Sequence, residues 1–262
     1  MKQQIRAIQA ELIKVKHSYF ILATFVAFGI APIMGAVFTL ILQDSEALEK
    51  AGGLAAKAKA MDFEANWRSY IDLLTQAVGV GGVLVFGFVA SWIFGREYSD
   101  GTAKDLLSLP TPRTKILNAK FLLYGFWCVA LVLSNLLVGL LLGTILQLSM
   151  ISTDWLALSL TDYFITTILT IIVGVPIAFF ALYGKGYLAP LGFVALTLVF
   201  SQVIAATGYG TYFPWSVPGL YSGAGGEYKN SLDNFSYTIL IMTCIAGYFA
   251  TTIYWKLADQ TK

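Results

Sequence analysis

Four stretches of this chain carry no Asp, Glu, Lys or Arg; they run from Lys120 to Asp154, Asp162 to Lys185, Lys185 to Glu227 and Asp233 to Lys256. A helix needs about 20 mostly apolar residues to cross about 30 Å of hydrocarbon. In a chain of 262 residues, 57% hydrophobic and 12% charged, runs of that length fit lipid rather than a water-facing fold. Together with two apolar runs upstream, they predict an all-α membrane protein. The six transmembrane helices are placed at about 18–42, 71–94, 120–147, 161–183, 187–207 and 235–256, in a single domain over 1–262.

The first apolar run follows a polar segment, is too long for a signal-peptide core and lacks a small-residue cleavage site, so no cleaved leader is expected. An inside N-terminus puts residues 1–17, 95–119, 184–186 and the C-terminal tail in the cytoplasm. Those pieces hold twelve Lys/Arg, counting Lys120 and Lys256 at helix ends, against five outside. That is the positive-inside bias, although Lys50, Lys57, Lys59 and Arg68 in the first outer loop blur it. Cys128 and Cys244 both sit in apolar runs, and His17 is the sole histidine, so neither a disulfide framework nor a zinc or haem site is indicated.

Residues 2–17 place Ile5, Ile8, Leu12 and Val15 at helical spacing, with Lys2, Arg6, Lys14 and Lys16 around them. Such an amphipathic helix can lie at the inner membrane interface, or serve only as a basic topology flank. Pro32 and Pro176 fall inside predicted spans, where a missing N–H kinks a helix. Small residues recur four apart at Gly87/Ser91, Gly139/Gly143, Gly174/Ala178 and Ala246/Ala250, a spacing that lets helices approach closely within one chain or between copies. The outer segment 43–70 predicts short helices. The outer segment 208–234 is rich in aromatics, Gly and Pro; Phe213, Pro214, Trp215 and Pro218 disfavour a continuous helix and suit a re-entrant or interfacial pair of short ones.

The charged island between the second and third spans carries the most functional information. It reads FGREYSDGTAKDLLSLPTPRTKI over 94–116. Thr102 and Asp105 are spaced as a capping box, with Gly101 as a hinge before a short helix at about 103–108 that Pro110 ends. Thr111-Pro112 then starts the next helix.

This island resembles the first cytoplasmic loop of ABC transporter permeases in the type-2 exporter superfamily, and most of all the bacitracin-resistance and lantibiotic-immunity branch. The RE-x-x-x-GT-x-x-x-L-L-x-x-P pattern falls on Arg96, Glu97, Gly101, Thr102, Leu106, Leu107 and Pro110. The basic N-terminal helix, the six spans and the FPWSVPGLY segment at 213–221 agree with that layout. The resemblance implies a permease, paired with itself or a paralogue, that docks two ATPase subunits. Residues Arg96, Glu97, Tyr98, Ser99, Asp100, Gly101, Thr102, Lys104, Asp105, Leu106 and Leu107 would form the ATPase-coupling helix. Gly184, Lys185 and Gly186 would make a second, smaller ATPase contact, or simply a basic turn.

The chain has no phosphate-cradling loop of its own: Gly184-Lys185-Gly186 lacks the Gly five residues earlier, where Phe179 stands, and Gly follows the Lys. ATP and Mg would therefore be bound by the partner, with no cofactor or metal in this chain and no nucleic acid among its ligands. No acid or base lies mid-span; Asp72 and Asp162 stand at helix starts, and Asn135 and Gln202 are neutral. That leaves an ion-coupled carrier little to work with. A membrane enzyme or assembly factor acting on lipid-linked substrates would need acid/base groups, and the outer side offers only Asp154, Asp162, Glu227, Asp233 and the 43–70 cluster. The expected cargo is a hydrophobic or amphipathic compound, such as an antimicrobial peptide.

Overall fold

The computed structural model describes residues 2–16, 18–103, 111–149, 153–224 and 226–257. These residues form helices and turns, with one isolated bridge between Asn66 and Ser149 in place of any sheet. Six helices are long and apolar enough to cross a membrane: Tyr19–Gln43, Trp67–Ser99, Arg113–Ile145, Trp155–Tyr183, Leu188–Ala206 and Asn234–Leu257.

In chain order, α1 is Lys2–Lys16, α2 the first span Tyr19–Gln43, and α3 and α4 the short Ser45–Lys50 and Gly53–Ala60. The second span joins α5, Trp67–Gln76, to α6, Gly82–Ser99, through a π-helical stretch at Ala77–Gly81. The third span is α7, Arg113–Ile145, and the fourth is α8, Thr153–Gly174, continued by α9, Ile177–Tyr183. Then follow α10, Leu188–Ala206, the short α11, Val217–Tyr221, and α12, Asn234–Leu257.

The second and third spans start earlier than their apolar runs suggest, because polar residues begin the helix before the hydrocarbon does. Asn66 caps the second span, its Oδ1 accepting from the Ser69 N–H at 2.9 Å. Pro112 stands immediately before α7, where its missing N–H costs no hydrogen bond.

The two ends of the bundle differ in composition. One end, here the basic end, gathers α1, residues 95–103, the start of α7, the 184–187 turn and the last turn of α12. The other, the aromatic end, gathers α3, α4 and the 207–233 segment. Between them the core is built on fully buried rings, among them Tyr70, Phe86, Phe94, Tyr124 and Tyr163.

Lipid supplies no hydrogen bonds, so each backbone group freed in a span needs a partner from the protein. Pro32 cannot donate to the carbonyl of Phe28, one turn back. The Asn135 side-chain amide of α7 donates to it instead, at 2.8 Å. The Tyr163 hydroxyl lies 3.2 Å from the other Asn135 atom, Oδ1. A neutral mid-span residue thus repairs a proline break and ties the first, third and fourth spans together. In the π-helical stretch the Val78 carbonyl lies 3.3 Å from Thr170 Oγ1, a hydroxyl whose nearer acceptor is the Thr166 carbonyl at 2.8 Å.

Most of the small-residue pairs serve packing inside the chain. A Cβ on Gly143 would fall 2.4 Å from the Trp67 ring, on Gly139 2.5 Å from Leu74, on Gly87 2.6 Å from Val194 and on Gly174 2.1 Å from the Tyr124 hydroxyl. Each is a glycine that admits a large neighbour from another span, which is how helices gain contact when lipid removes the hydrophobic drive. Ala246 points outward instead.

Candidate functional site

The end of α6 is stopped by its own backbone. Gly101 has φ of 71°, in the left-handed region that glycine enters without steric cost. The Thr102 N–H reaches the Glu97 carbonyl at 2.9 Å and the Gly101 N–H the Tyr98 carbonyl at 3.2 Å. This pair of bonds is a Schellman motif. The Gly-Thr of the loop pattern therefore fixes where the second span ends, which gives Gly101 a stopping role where a hinge was expected. Ala103 is helical and buried, whereas the rest of the helix expected at about 103–108, with Lys104, Asp105, Leu106 and Leu107, and Pro110 after it, lies outside the described residues.

The turn after α9 is built the same way. Gly186 N–H reaches the Ala181 carbonyl at 3.2 Å and Lys185 N–H the Leu182 carbonyl at 3.3 Å. Here the left-handed position is filled by Lys185, at φ 48°, where glycine is the usual occupant. The two stops adjoin. A Cβ on Gly95 would meet the Gly186 carbonyl at 2.5 Å, and one on Gly186 would meet Ser99 Oγ at 3.2 Å. The structure thus brings Ser99, Asp100, Gly101 and Thr102 beside Gly184, Lys185 and Gly186 on one surface, with all but Gly186 exposed.

Arg96 and Glu97 point the other way. The Arg96 guanidinium lies over the Trp92 ring at 4.5 Å, and its Nη1 donates to the Lys14 carbonyl of α1 at 3.4 Å. Tyr98 is half-buried. Glu97 is 4% exposed and Lys120, at the start of the membrane part of α7, is 1% exposed. Lys120 Nζ donates to Glu97 Oε1 at 2.7 Å, to the Ile93 carbonyl at 2.7 Å and to Glu11 Oε2 at 3.4 Å. Lys14 Nζ donates to Glu11 Oε1 at 2.6 Å and to Glu97 Oε1 at 3.2 Å.

Two carboxylates and two ammonium groups thus form a balanced cluster on three segments: α1, the end of the second span and the start of the third. Buried charges persist only when paired and hydrogen-bonded, and here each has at least two partners. Glu97 and Lys120 stand on either side of residues 98–119, so the cluster closes the loop at its base and clamps α1 across it. Lys120 was legible as a basic residue leading into a span and Glu11 as a position on an amphipathic helix; their meeting was not. A signal was present, because Glu11 is the only acid in a helix otherwise basic.

At the aromatic end, the π-helical stretch meets α11. A Cβ on Gly79 would fall 2.6 Å from the Pro218 carbonyl and 2.7 Å from Ser222 Cβ. Pro214, Val217, Pro218 and Leu220 are buried, while Phe213 and Trp215 are half-buried. The Ser216 hydroxyl turns back to the Gly210 carbonyl at 2.7 Å. The Trp215 ring packs edge-on against Phe193 with centroids 5.7 Å apart. Phe193 lies thirteen residues before Ala206, the last residue of α10, about 20 Å of helix rise. The segment that leaves α10 at its far end therefore returns deep along the same helix. The Tyr221 hydroxyl donates to Asp162 Oδ1 at 3.2 Å. Burial, and then the Asp162 carboxylate, push the Tyr221 phenol up to about 12, so it stays a donor across the physiological range.

These features are a loop sealed at its base by charge, an adjoining basic turn, and an aromatic segment folded against the second and fifth spans. Comparison with known proteins places the whole chain rather than these features. Bacitracin transport permease protein BCRB of Bacillus licheniformis is 28% identical over 207 residues, which cover 79% of this chain and 99% of that protein. Residues 7–203 match the family described as ABC-2 family transporter protein, taking in most of α1, the loop after the second span and most of the fifth span. The chain belongs to the ABC-2 transporter family.

Proposed function

We propose that this chain is the membrane-spanning permease subunit of an ABC exporter that removes a hydrophobic or amphipathic compound, of the antimicrobial-peptide class, as a means of resistance or self-protection. Its N- and C-termini face the cytoplasm, it works beside a second copy or a paralogue, and separate ABC ATPase subunits bind the ATP and Mg. The observation that carries this reading is the shared surface of residues 99–102 and 184–186. An ATPase seated there touches the end of the second span and the turn between the fourth and fifth spans at once.

Within this reading Glu97 acts from behind the contact, as a positioning residue. It holds the loop base against Lys120 and α1, while Ser99, Asp100, Gly101, Thr102, Lys104, Asp105, Leu106 and Leu107 meet the ATPase. The aromatic segment of Phe213, Pro214, Trp215 and Pro218 is re-entrant and faces the outside. The depth of Trp215 beside Phe193 supports that placement. The relative's name as a bacitracin transport permease motivates the peptide class.

The test is purification with the cognate ATPase and measurement of bacitracin-stimulated hydrolysis in lipid. Proline at position 105 is expected to leave membrane insertion and helicity intact and to abolish stimulation. Normal stimulation in that variant would sink the loop assignment. Failure of any ATPase to co-purify with the wild type would sink the function.

A further inference from the structure

Between α1 and the first and third spans lies a cavity of about 370 Å³, walled by Leu12, Val15, Phe25, Leu123, Phe126 and Trp127 and floored in part by Ala130. That volume is within the roughly 300–1,000 Å³ of small-ligand sites. Its walls are apolar, and the one charged member of its lining is Lys16, which is exposed. The cavity opens sideways rather than into the bundle. Phe126 is 68% exposed, and Leu122 and Leu133 beside it on α7, with Leu22 and Val26 on α2, also face outward. In a chain that spans a bilayer, such an opening meets acyl chains.

Charge then selects among lipids. The sole acid of α1, Glu11, is turned inward and used by Lys120 and Lys14. What α1 shows to its surroundings beside the cavity is therefore the exposed Lys16, with Arg6 also exposed further along the helix. A basic helix lying over an apolar slot at headgroup depth matches a phospholipid with a net negative headgroup. Leu12 and Val15 alternate along α1 with Glu11 and Lys14, so one face of the helix holds the slot and the next holds the ion cluster. We infer that this cavity is a binding site for an anionic phospholipid of the inner leaflet, one acyl chain filling the slot and the phosphate resting on Lys16. This site goes beyond the permease reading and does not depend on which ATPase or cargo the chain serves.

The test is native mass spectrometry of the delipidated full chain, titrated separately with phosphatidylglycerol and with phosphatidylcholine of the same acyl chains. The wild type is expected to hold one phosphatidylglycerol per chain, about tenfold more tightly than phosphatidylcholine, from the attraction of basic residues near the headgroup. Lys16→Glu, at an exposed position that leaves packing alone, should erase the preference while chain binding persists. Ala130→Trp, which fills the slot, should lose both lipids; its helicity and thermal midpoint must match the wild type for that loss to count. Equal affinity of the wild type for the two lipids overturns the inference, as does wild-type binding in Ala130→Trp. A dimer that covers this face and holds no lipid would overturn it too, giving the cavity to a second copy.

Discussion

At the basic end, Glu11, Lys14, Glu97 and Lys120 join three segments through charge; at the aromatic end, Gly79, Pro218 and Ser222 touch through shape, with no charged group between them. The contrast separates two mechanical roles. Buried ion pairs resist separation, because each partner left alone keeps its desolvation penalty. A neutral contact between a glycine and a backbone carbonyl can part at the loss of dispersion alone. The basic end is thus held by charge, and the Gly79 contact by shape, with the Tyr221–Asp162 hydrogen bond as the polar tie of the aromatic segment.

The largest expected effect breaks the charged end. Glu97→Ala leaves Lys120 buried with Glu11 as its remaining acid, and should lower stability by about 3–5 kcal/mol, read as a fall in the thermal midpoint in detergent. Glu97→Lys places three ammonium groups together and should be worse. Exchanging the pair, Glu97→Lys with Lys120→Glu, should recover part of the loss, and a double-mutant cycle that shows no coupling would remove the cluster from the account.

A second test falls between the ends. Asn135→Leu strands the Phe28 carbonyl and should cost about 1–3 kcal/mol. Adding Pro32→Ala should reverse most of that, since the alanine N–H can take the same carbonyl. If the double variant is no better than Asn135→Leu alone, the proline repair is not what Asn135 does.

Third, Gly79→Val forces the second span away from Pro218, an overpacking worth about 1–3 kcal/mol. The comparison sharpens if this variant keeps ATPase binding while losing transport, and it breaks if ATPase binding falls instead. The smallest effect is expected from Lys185→Gly. It relieves a left-handed lysine and should gain about 1 kcal/mol of stability, measured by the same melt, while weakening ATPase association.

The six spans were legible because hydrocarbon imposes length and excludes charge, and both are written residue by residue. The start of the first span, near residue 18, is fixed by the same rule. The site was legible in part. Its exposed portion, Ser99 to Thr102, follows from a local motif that backbone geometry alone enforces. The stopping role of Gly101 was hidden because a sequence does not say that Thr102 bonds back to Glu97. The ion cluster was hidden because it is non-local: Glu11 and Lys120 are 109 residues apart and meet only after the spans pack. The partnership of Pro32 with Asn135 was hidden for the same reason, although the orphaned carbonyl itself could be deduced from the proline.

The second span carries both contrasting contacts on one continuous helix. Gly79, against Pro218, and Glu97, in the ion cluster, are eighteen residues apart, about 27 Å of rise. In the proposed permease, a signal between the two contacts would pass along this one helix, with no separate element as relay. Its delay and its loss are set by the stiffness of a single rod, with the π-helical turn at Ala77–Gly81 as its one built-in slack.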